Sequence, residues 1–177
     1  MTKLVGFRGR LGRMTKRYPF PNPANETSAR LVAAGVVLIS AAFLLTNSTL
    51  ILLTLTYGFA ARVVAGPAFS PLALLVTRII TPKLNFDHKF MPGPPKRFAQ
   101  TIGLTFAATA LTLTLLDYSL AAKLVIAALI FAATLESVFA ICLGCIMFSF
   151  LMKLGVIPQS VCESCNDITL RPQSINA

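Results

Sequence analysis

The chain has 177 residues, of which 55% are hydrophobic and only 12% are charged. Its mean hydropathy of +0.75 excludes an ordinary water-soluble domain and predicts a polytopic membrane protein whose main partner is the lipid bilayer. The formal net charge of +10 does not indicate a nucleic-acid-binding protein. The basic residues lie outside the apolar segments or at their ends, where the positive-inside rule accounts for them.

The first part of the chain is predicted to be a basic arm followed by a helical hairpin. The arm, residues 1–29, contains a Pro-rich stretch that resists helix formation. Residues 30–46 and 48–65 are apolar and just long enough to cross the hydrocarbon core, and the uncharged turn between them is expected to face outside. Arg62 lies about one turn before the inner end of the second span. It is expected either to reach back to the interface or to face the bundle.

Residues 66–97 are predicted to form an inner loop, because prolines and basic residues interrupt the apolar pattern. Within this loop, Ser70 and Pro71 are typical of a helix start. The apolar residues 72–80 are too few to span a membrane, so we expect a helix that lies in the interface or re-enters the bundle. His88 is the only histidine, and a loop position is favoured over a metal or catalytic role.

The last two spans are predicted at residues 98–116 and 120–153. No proline or turn dipeptide interrupts the second of them, which predicts one unbroken helix. Lys123 and Lys153 would then reach opposite interfaces and place the bilayer midplane near Val138.

Glu136 is therefore expected close to the centre of the membrane. A carboxyl group at that depth is costly when it faces lipid, so we expect it to face the bundle. Arg62 is its expected partner, either in a static ion pair or as part of a reactive site.

The fold class is thus expected to be an all-α membrane protein. It has four transmembrane helices and an inner-face interfacial or re-entrant helix between the second and the third. A transmembrane domain, residues 30–154, follows the arm, and a polar tail, residues 155–177, follows the domain. The distribution of charge predicts a multi-pass protein of the cytoplasmic (inner) membrane with both termini in the cytoplasm, and its oligomeric state is left open.

The four cysteines form two Cys-x-x-Cys pairs, Cys142 with Cys145 and Cys162 with Cys165. On a helix, residues at i and i+3 share a face with Cα atoms about 5 Å apart, which allows a disulfide. The first hypothesis is a dithiol relay between the pairs. An unbroken fourth helix would place the first pair far from a helix N-terminus, the position that activates a thiol. Arg62 would be needed as a compensating cation, and Glu136 could be the proton acceptor, although a regular helix would point it away from Cys145.

The alternative hypothesis is a structural zinc site. The spacing of the cysteines falls within that of four-cysteine zinc sites, with Cys142, Cys145, Cys162 and Cys165 as ligands. Its difficulty is the cost of burying a charged metal centre in hydrocarbon. A scaffold in which the cysteines only pack is the least favoured alternative. Apart from zinc in this second hypothesis, no cofactor is expected.

These motifs resemble a bacterial integral-membrane family catalogued as a domain of unknown function. The resemblance lies in the Pro-Pro-Lys-Arg-Phe-Ala-Gln block at residues 94–100, in Leu135-Glu136, in Cys-Leu-Gly-Cys at residues 142–145 and in the tail pair. It covers most of residues 29–165. An association of some members with thioredoxin-like or rhodanese-like proteins implies a partner of that kind.

The chain is also similar to the quinone-linked vitamin K epoxide reductase family, which has four spans with a Cys-x-x-Cys in the last. It departs from that family because the charges place both of its pairs in the inner half of the membrane or inside. We therefore predict a membrane-embedded dithiol protein that exchanges electrons or sulfur with a thioredoxin- or rhodanese-like partner. The sequence leaves open whether it is an enzyme; if so, it is a thiol-disulfide oxidoreductase or a sulfur-transfer protein.

Overall fold

The structure, a computed structural model, describes residues 24–81, 90–158 and 161–162. Its helices are α1 (Glu26–Thr46), α2 (Thr49–Ala65), α3 (Pro71–Leu75), α4 (Gly93–Leu115), α5 (Ser119–Phe139) and α6 (Leu143–Lys153). A 3-10 turn, Gly66–Ala68, precedes α3, and a π-helical turn, Val76–Ile80, continues it. The two-residue strands β1 (Ala24–Asn25) and β2 (Phe90–Met91) pair antiparallel, with Ala24 opposite Met91.

The predicted all-α membrane fold is confirmed. Within the described residues, four helical stretches are long and apolar enough to cross a membrane: Glu26–Thr46, Thr49–Ile80, Gly93–Leu115 and Ser119–Phe139. Large apolar side chains on their outer surface, such as Leu45 and Phe131, are 84% and 64% exposed. This surface suits lipid rather than water, so the chain is a multi-pass membrane protein.

The helix bundle is held by an apolar core. Helix α1 packs against α5, α2 packs against α4, and α4 also contacts α5 and α6. The core consists of Val36, Phe43, Leu52, Leu55, Phe59, Ala107, Ala110, Ile126, Leu129 and Ala133. Small residues let the helices approach closely, and at Gly103 an added Cβ would overlap the Phe59 ring. The α2–α4 contact therefore depends on that glycine.

The predicted short helix between the second and third spans is present as α3 and its π-helical turn. It starts with Ser70 at the N-cap and Pro71 in the first turn, as the sequence indicates. Ala73 and Val76 pack against Val32 of α1, so this segment contacts the bundle. His88 lies outside the described residues.

The third span starts earlier than its predicted start at residue 98. Helix α4 begins at Gly93, with prolines in its first turn, where an absent N–H costs no intrahelical hydrogen bond. Lys96 and Arg97 are therefore helical residues rather than loop residues. This places both basic side chains on the bundle itself.

The predicted unbroken helix over residues 120–153 is wrong. Helix α5 ends at Phe139, and Ala140 adopts a left-handed conformation with φ of 57°. The N–H groups of Ala140 and Ile141 both donate to the carbonyl of Leu135, the second at 3.1 Å, and these bonds close the helix end. Glu136 consequently lies in the last turn of a complete span, not at the middle of a longer one.

Arg30 of α1 stabilises this helix end. Its Nε donates to the carbonyl of Ser137 at 3.1 Å, and its Nη2 donates to the carbonyl of Val138 at 3.0 Å. Carbonyls in the last turn lack intrahelical donors, and a cation there also complements the helix dipole. Arg30, which is distant in sequence, thus stabilises the helix end at Phe139, although no local sequence pattern predicts that end.

Candidate dithiol site and cavity

Glu136 forms a buried ion pair with Lys96, not with Arg62 as predicted. Lys96 Nζ donates to Glu136 Oε1 at 2.6 Å. The side chain of Lys96 is 5% exposed and that of Glu136 is 16% exposed. The early start of α4 is the physical reason, because it brings Lys96 onto the helix surface that faces the end of α5. Glu136 does face the bundle, as expected.

Arg62 is also buried, at 5% exposure. Its Nε donates to the carbonyl of Gly58 at 2.9 Å, and its guanidinium lies 4.4 Å from the centre of the Phe59 ring. Within the described residues, Nη1 has no hydrogen-bond partner. Of the two predicted alternatives for Arg62, the structure shows the bundle-facing one, and it leaves a buried N–H donor unused.

Cys142 and Cys145 occupy the N-terminus of α6. Cys142 is the N-cap residue, Cys145 lies in the first turn, and both are free thiols. The expectation that this pair lies far along a helix is therefore wrong, because the break at Ala140 starts a new helix at Leu143. At a helix N-terminus, unpaired N–H groups and the helix dipole stabilise a thiolate.

The two thiols of this pair have different acidities. The pKa of Cys142 is lowered, mainly because the Cys145 thiol donates a hydrogen bond to its sulfur, with further contributions from Lys96 and from the Cys145 backbone N–H. Burial and the charge of Glu136 oppose this effect. The pKa of Cys145 is raised, because its proton is held in that hydrogen bond and because it is buried. Cys142 is therefore the more acidic thiol of the pair.

Gly144 allows α6 to lie directly against α4. A Cβ at this position would lie 2.6 Å from both Cα and Cβ of Ala99. One turn later, the Phe148 ring packs against the Phe98 ring with centroids 5.7 Å apart. These contacts fix the start of α6, and with it the Cys-x-x-Cys pair, beside the helix that carries Lys96.

Cys162 is disulfide-bonded and 3% exposed, and it packs against Phe148 and Met152 of α6. The chain after α6 therefore folds back onto α6 and packs against the helix face that also carries Cys145. Cys165 lies outside the described residues. In the part of the chain that the structure describes, no three His, Cys, Asp or Glu side chains are grouped as metal ligands. A disulfide sulfur also supplies no thiolate, so a four-cysteine zinc site requires the reduced tail.

A cavity of about 350 Å³ joins these groups. Its polar lining comes from Arg62, Glu136, Cys142 and Gln100, and the Oε1 atom of Gln100 is buried without a partner in the described chain. The rest of the lining is apolar and comes from α1, α2, α4, α5 and α6. The cavity thus brings together three of the predicted site residues, although their order in the sequence separates them widely.

Sequence analysis missed Lys96 and Arg30. Lys96 lies in the Pro-Pro-Lys-Arg block that was assigned to a loop; prolines are also typical of a first helical turn, and that signal could have placed it on a helix. Arg30 had no comparable signal, because its role depends on where α5 ends.

The family model described as Domain of unknown function (DUF4395) matches residues 24–153. The chain belongs to this family. The matched region contains Lys96, Glu136 and the pair Cys142 and Cys145, whereas the tail pair lies beyond it. No curated protein and no solved structure matches the chain.

Proposed function

We propose that this DUF4395 protein is a membrane dithiol protein whose pair Cys142 and Cys145 exchanges electrons with the tail pair Cys162 and Cys165. The observation that carries the proposal is the position of the first pair at the N-terminus of α6, with Cys142 stabilised as a thiolate beside Lys96. Stabilising the thiolate stabilises the reduced pair, which favours its acting as an electron acceptor from another dithiol.

The exchange balances as two successive thiol-disulfide steps. A tail thiolate attacks the sulfur of Cys145 in the oxidised membrane pair, and Cys142 leaves as a thiolate. The second tail thiolate then attacks the tail sulfur of this mixed disulfide, which forms the tail disulfide and releases Cys145. Two electrons have moved from the tail pair to the membrane pair.

A soluble thioredoxin- or rhodanese-like protein is the proposed donor that reduces the tail again. The end of the bundle that carries the site also carries Arg30, Lys96 and Arg97, whereas the end with the turns at Asn47 and Asp117 carries one cation among the described residues, Lys123. By the positive-inside rule, we propose that the charged end faces the cytoplasm of an inner membrane. Labelling of the tail from outside the cell would contradict this orientation.

Thiol counting on the purified protein tests the exchange. After full reduction and one equivalent of a mild oxidant, the disulfide is expected at the tail pair, with the membrane pair left free. Replacing Cys162 by Ser is expected to move the disulfide to the membrane pair and to leave the protein folded. In the Cys145→Ser variant, the exchange is expected to be lost, since the attacked sulfur is absent.

Metal analysis of the same samples distinguishes the zinc alternative. Substoichiometric zinc is expected. Stoichiometric zinc that is lost together with folding when any one cysteine is replaced would overturn the dithiol proposal and establish a structural metal site.

A further inference from the structure

The cavity brings an unused donor, an unused acceptor and the Cys142 thiol together within a mostly apolar lining. Arg62 Nη1 and Gln100 Oε1 are buried without hydrogen-bond partners among the described residues, and both side chains line the cavity together with Cys142. Leaving a buried N–H or C=O unpaired is costly, so a cavity with both on its wall suits a ligand that accepts from one and donates to the other.

The charges around the cavity favour a neutral ligand. Lys96 and Glu136 neutralise each other in their ion pair, and the Glu136 carboxylate also acts on the Arg62 guanidinium. An added carboxylate would face the Glu136 carboxylate in the same enclosure. What Arg62 lacks is therefore an uncharged oxygen acceptor rather than a counter-ion.

The rim of the cavity opens on the lipid-facing surface. Phe131 and Met147, both on the lining, are 64% and 50% exposed. A volume of about 350 Å³ lies at the lower end of the range for small-molecule sites and accommodates a substituted ring, while a longer apolar tail extends through the rim. The ligand is thus an apolar molecule that arrives from the bilayer and carries a carbonyl oxygen.

The geometry points to this cavity as the binding site of a lipid-soluble quinone, with a ring carbonyl accepting from Arg62 and the membrane dithiol reducing the ring. This inference depends on the proposed function, because it names the acceptor that reoxidises the membrane pair. Quinones are the apolar carbonyl compounds that take up two electrons and two protons, which matches what a dithiol releases.

The reaction balances as a dithiol and a quinone giving a disulfide and a quinol. The Cys142 thiolate adds to the ring, and the sulfur of Cys145 then attacks that of Cys142. The S–S bond forms as the carbon–sulfur bond breaks, and the electron pair stays on the ring. One proton comes from Cys145, and the other comes from water, which received it when Cys142 ionised. The Gln100 oxygen accepts from a hydroxyl of the quinol.

Binding is measured on the full-length reduced protein in detergent with a decyl-substituted benzoquinone. Arg62→Gln is expected to weaken binding by about 10- to 100-fold, the loss of one hydrogen bond from a charged donor. Arg78→Gln, at an exposed arginine outside the cavity, is the control and is expected to bind as the unmodified protein does. Ala128→Phe places a ring at the cavity lining and is expected to abolish binding, whereas Ala127→Phe on the neighbouring exposed position is not.

Quinone reduction is followed by the loss of quinone absorbance together with thiol counting. The expected result is one quinol per chain and a disulfide between Cys142 and Cys145, neither of which forms in Cys145→Ser. Absence of saturable binding, or binding of dodecanoate in place of the quinone, would overturn this inference. Unchanged exchange between the two cysteine pairs in the same samples would show that the proposed function survives that result.

Discussion

The two ends of the helix bundle are built in different ways. At the tip end, the chain turns at Asn47 and at Asp117, both with positive φ, through short connections. At the site end, a left-handed turn is made by Ala140, and its helix end is capped by Arg30 from another helix. Asn and Asp tolerate that conformation through local hydrogen bonds, whereas alanine does not favour it. The tip turns are therefore local features, and the site end is held by tertiary contacts.

The largest difference in stability between variants at the two ends is expected from Lys96→Met at the site end. It leaves the Glu136 carboxylate buried without its partner, so the free energy of unfolding should fall by about 3 kcal/mol or more. Lys123→Met, at the tip end of α5, should change it by less than about 0.5 kcal/mol. Unfolding of the purified protein by SDS in mixed micelles provides the measurement.

A double variant separates loss of charge from loss of packing in that prediction. Lys96→Met combined with Glu136→Leu removes both charges and should recover most of the lost stability. Equal stability of the Lys96→Met variant and the double variant would show that the loss comes from packing and not from an unpaired Glu136 carboxylate.

The next effect is expected at the contact between α6 and α4. Gly144→Ala should destabilise the protein by about 1 to 3 kcal/mol, because the new methyl group meets the backbone of Ala99, which cannot move aside like a flexible side chain. Gly58→Ala is the matched control. Its Cβ would meet other atoms no closer than 3.9 Å, so the helix should tolerate it or gain stability. Destabilisation by both variants to the same extent would contradict the close approach at Gly144.

A smaller gain in stability is expected from Ala140→Gly. Glycine adopts positive φ without the steric cost that alanine has, so the free energy of unfolding should rise by about 0.5 to 1 kcal/mol. Asn47→Gly at the tip end should raise the free energy of unfolding by less, because Asn already tolerates this conformation. If Ala140→Gly instead destabilises the protein more than Asn47→Gly does, the end of α5 is not the strained turn described here.

The smallest expected effect is a shift in the pH dependence of the reactivity of the Cys142 thiol. The thiolate is the reactive form, and the negative charge of Glu136 raises the pKa of this thiol. Glu136→Gln should therefore lower that pKa, and alkylation of Cys142 by a small reagent should reach its half-maximal rate at a lower pH. Asp117→Asn at the tip end should leave the profile unchanged. A shift toward higher pH in Glu136→Gln would contradict the assigned electrostatics.

Local sequence patterns were enough to predict the fold class, the four spans, the short helix after the second span and the orientation of Glu136 toward the bundle. Each of these follows from local signals: long apolar segments, a Ser-Pro helix start, and the cost of a charged group in hydrocarbon. The spacing of the four cysteines also predicted a functional site at the two pairs, because paired thiols at this spacing are suited to redox or metal chemistry.

The pairing of Lys96 with Glu136 and the helix start at Cys142 could not be predicted without the packed bundle. Both depend on where α5 ends. Ala140 carries no turn signal, and the carbonyls at that helix end are satisfied by Arg30 of α1, a residue distant in sequence. A helix end whose hydrogen bonds are completed by another helix leaves no local pattern, since the stabilising donors come together only when the bundle packs.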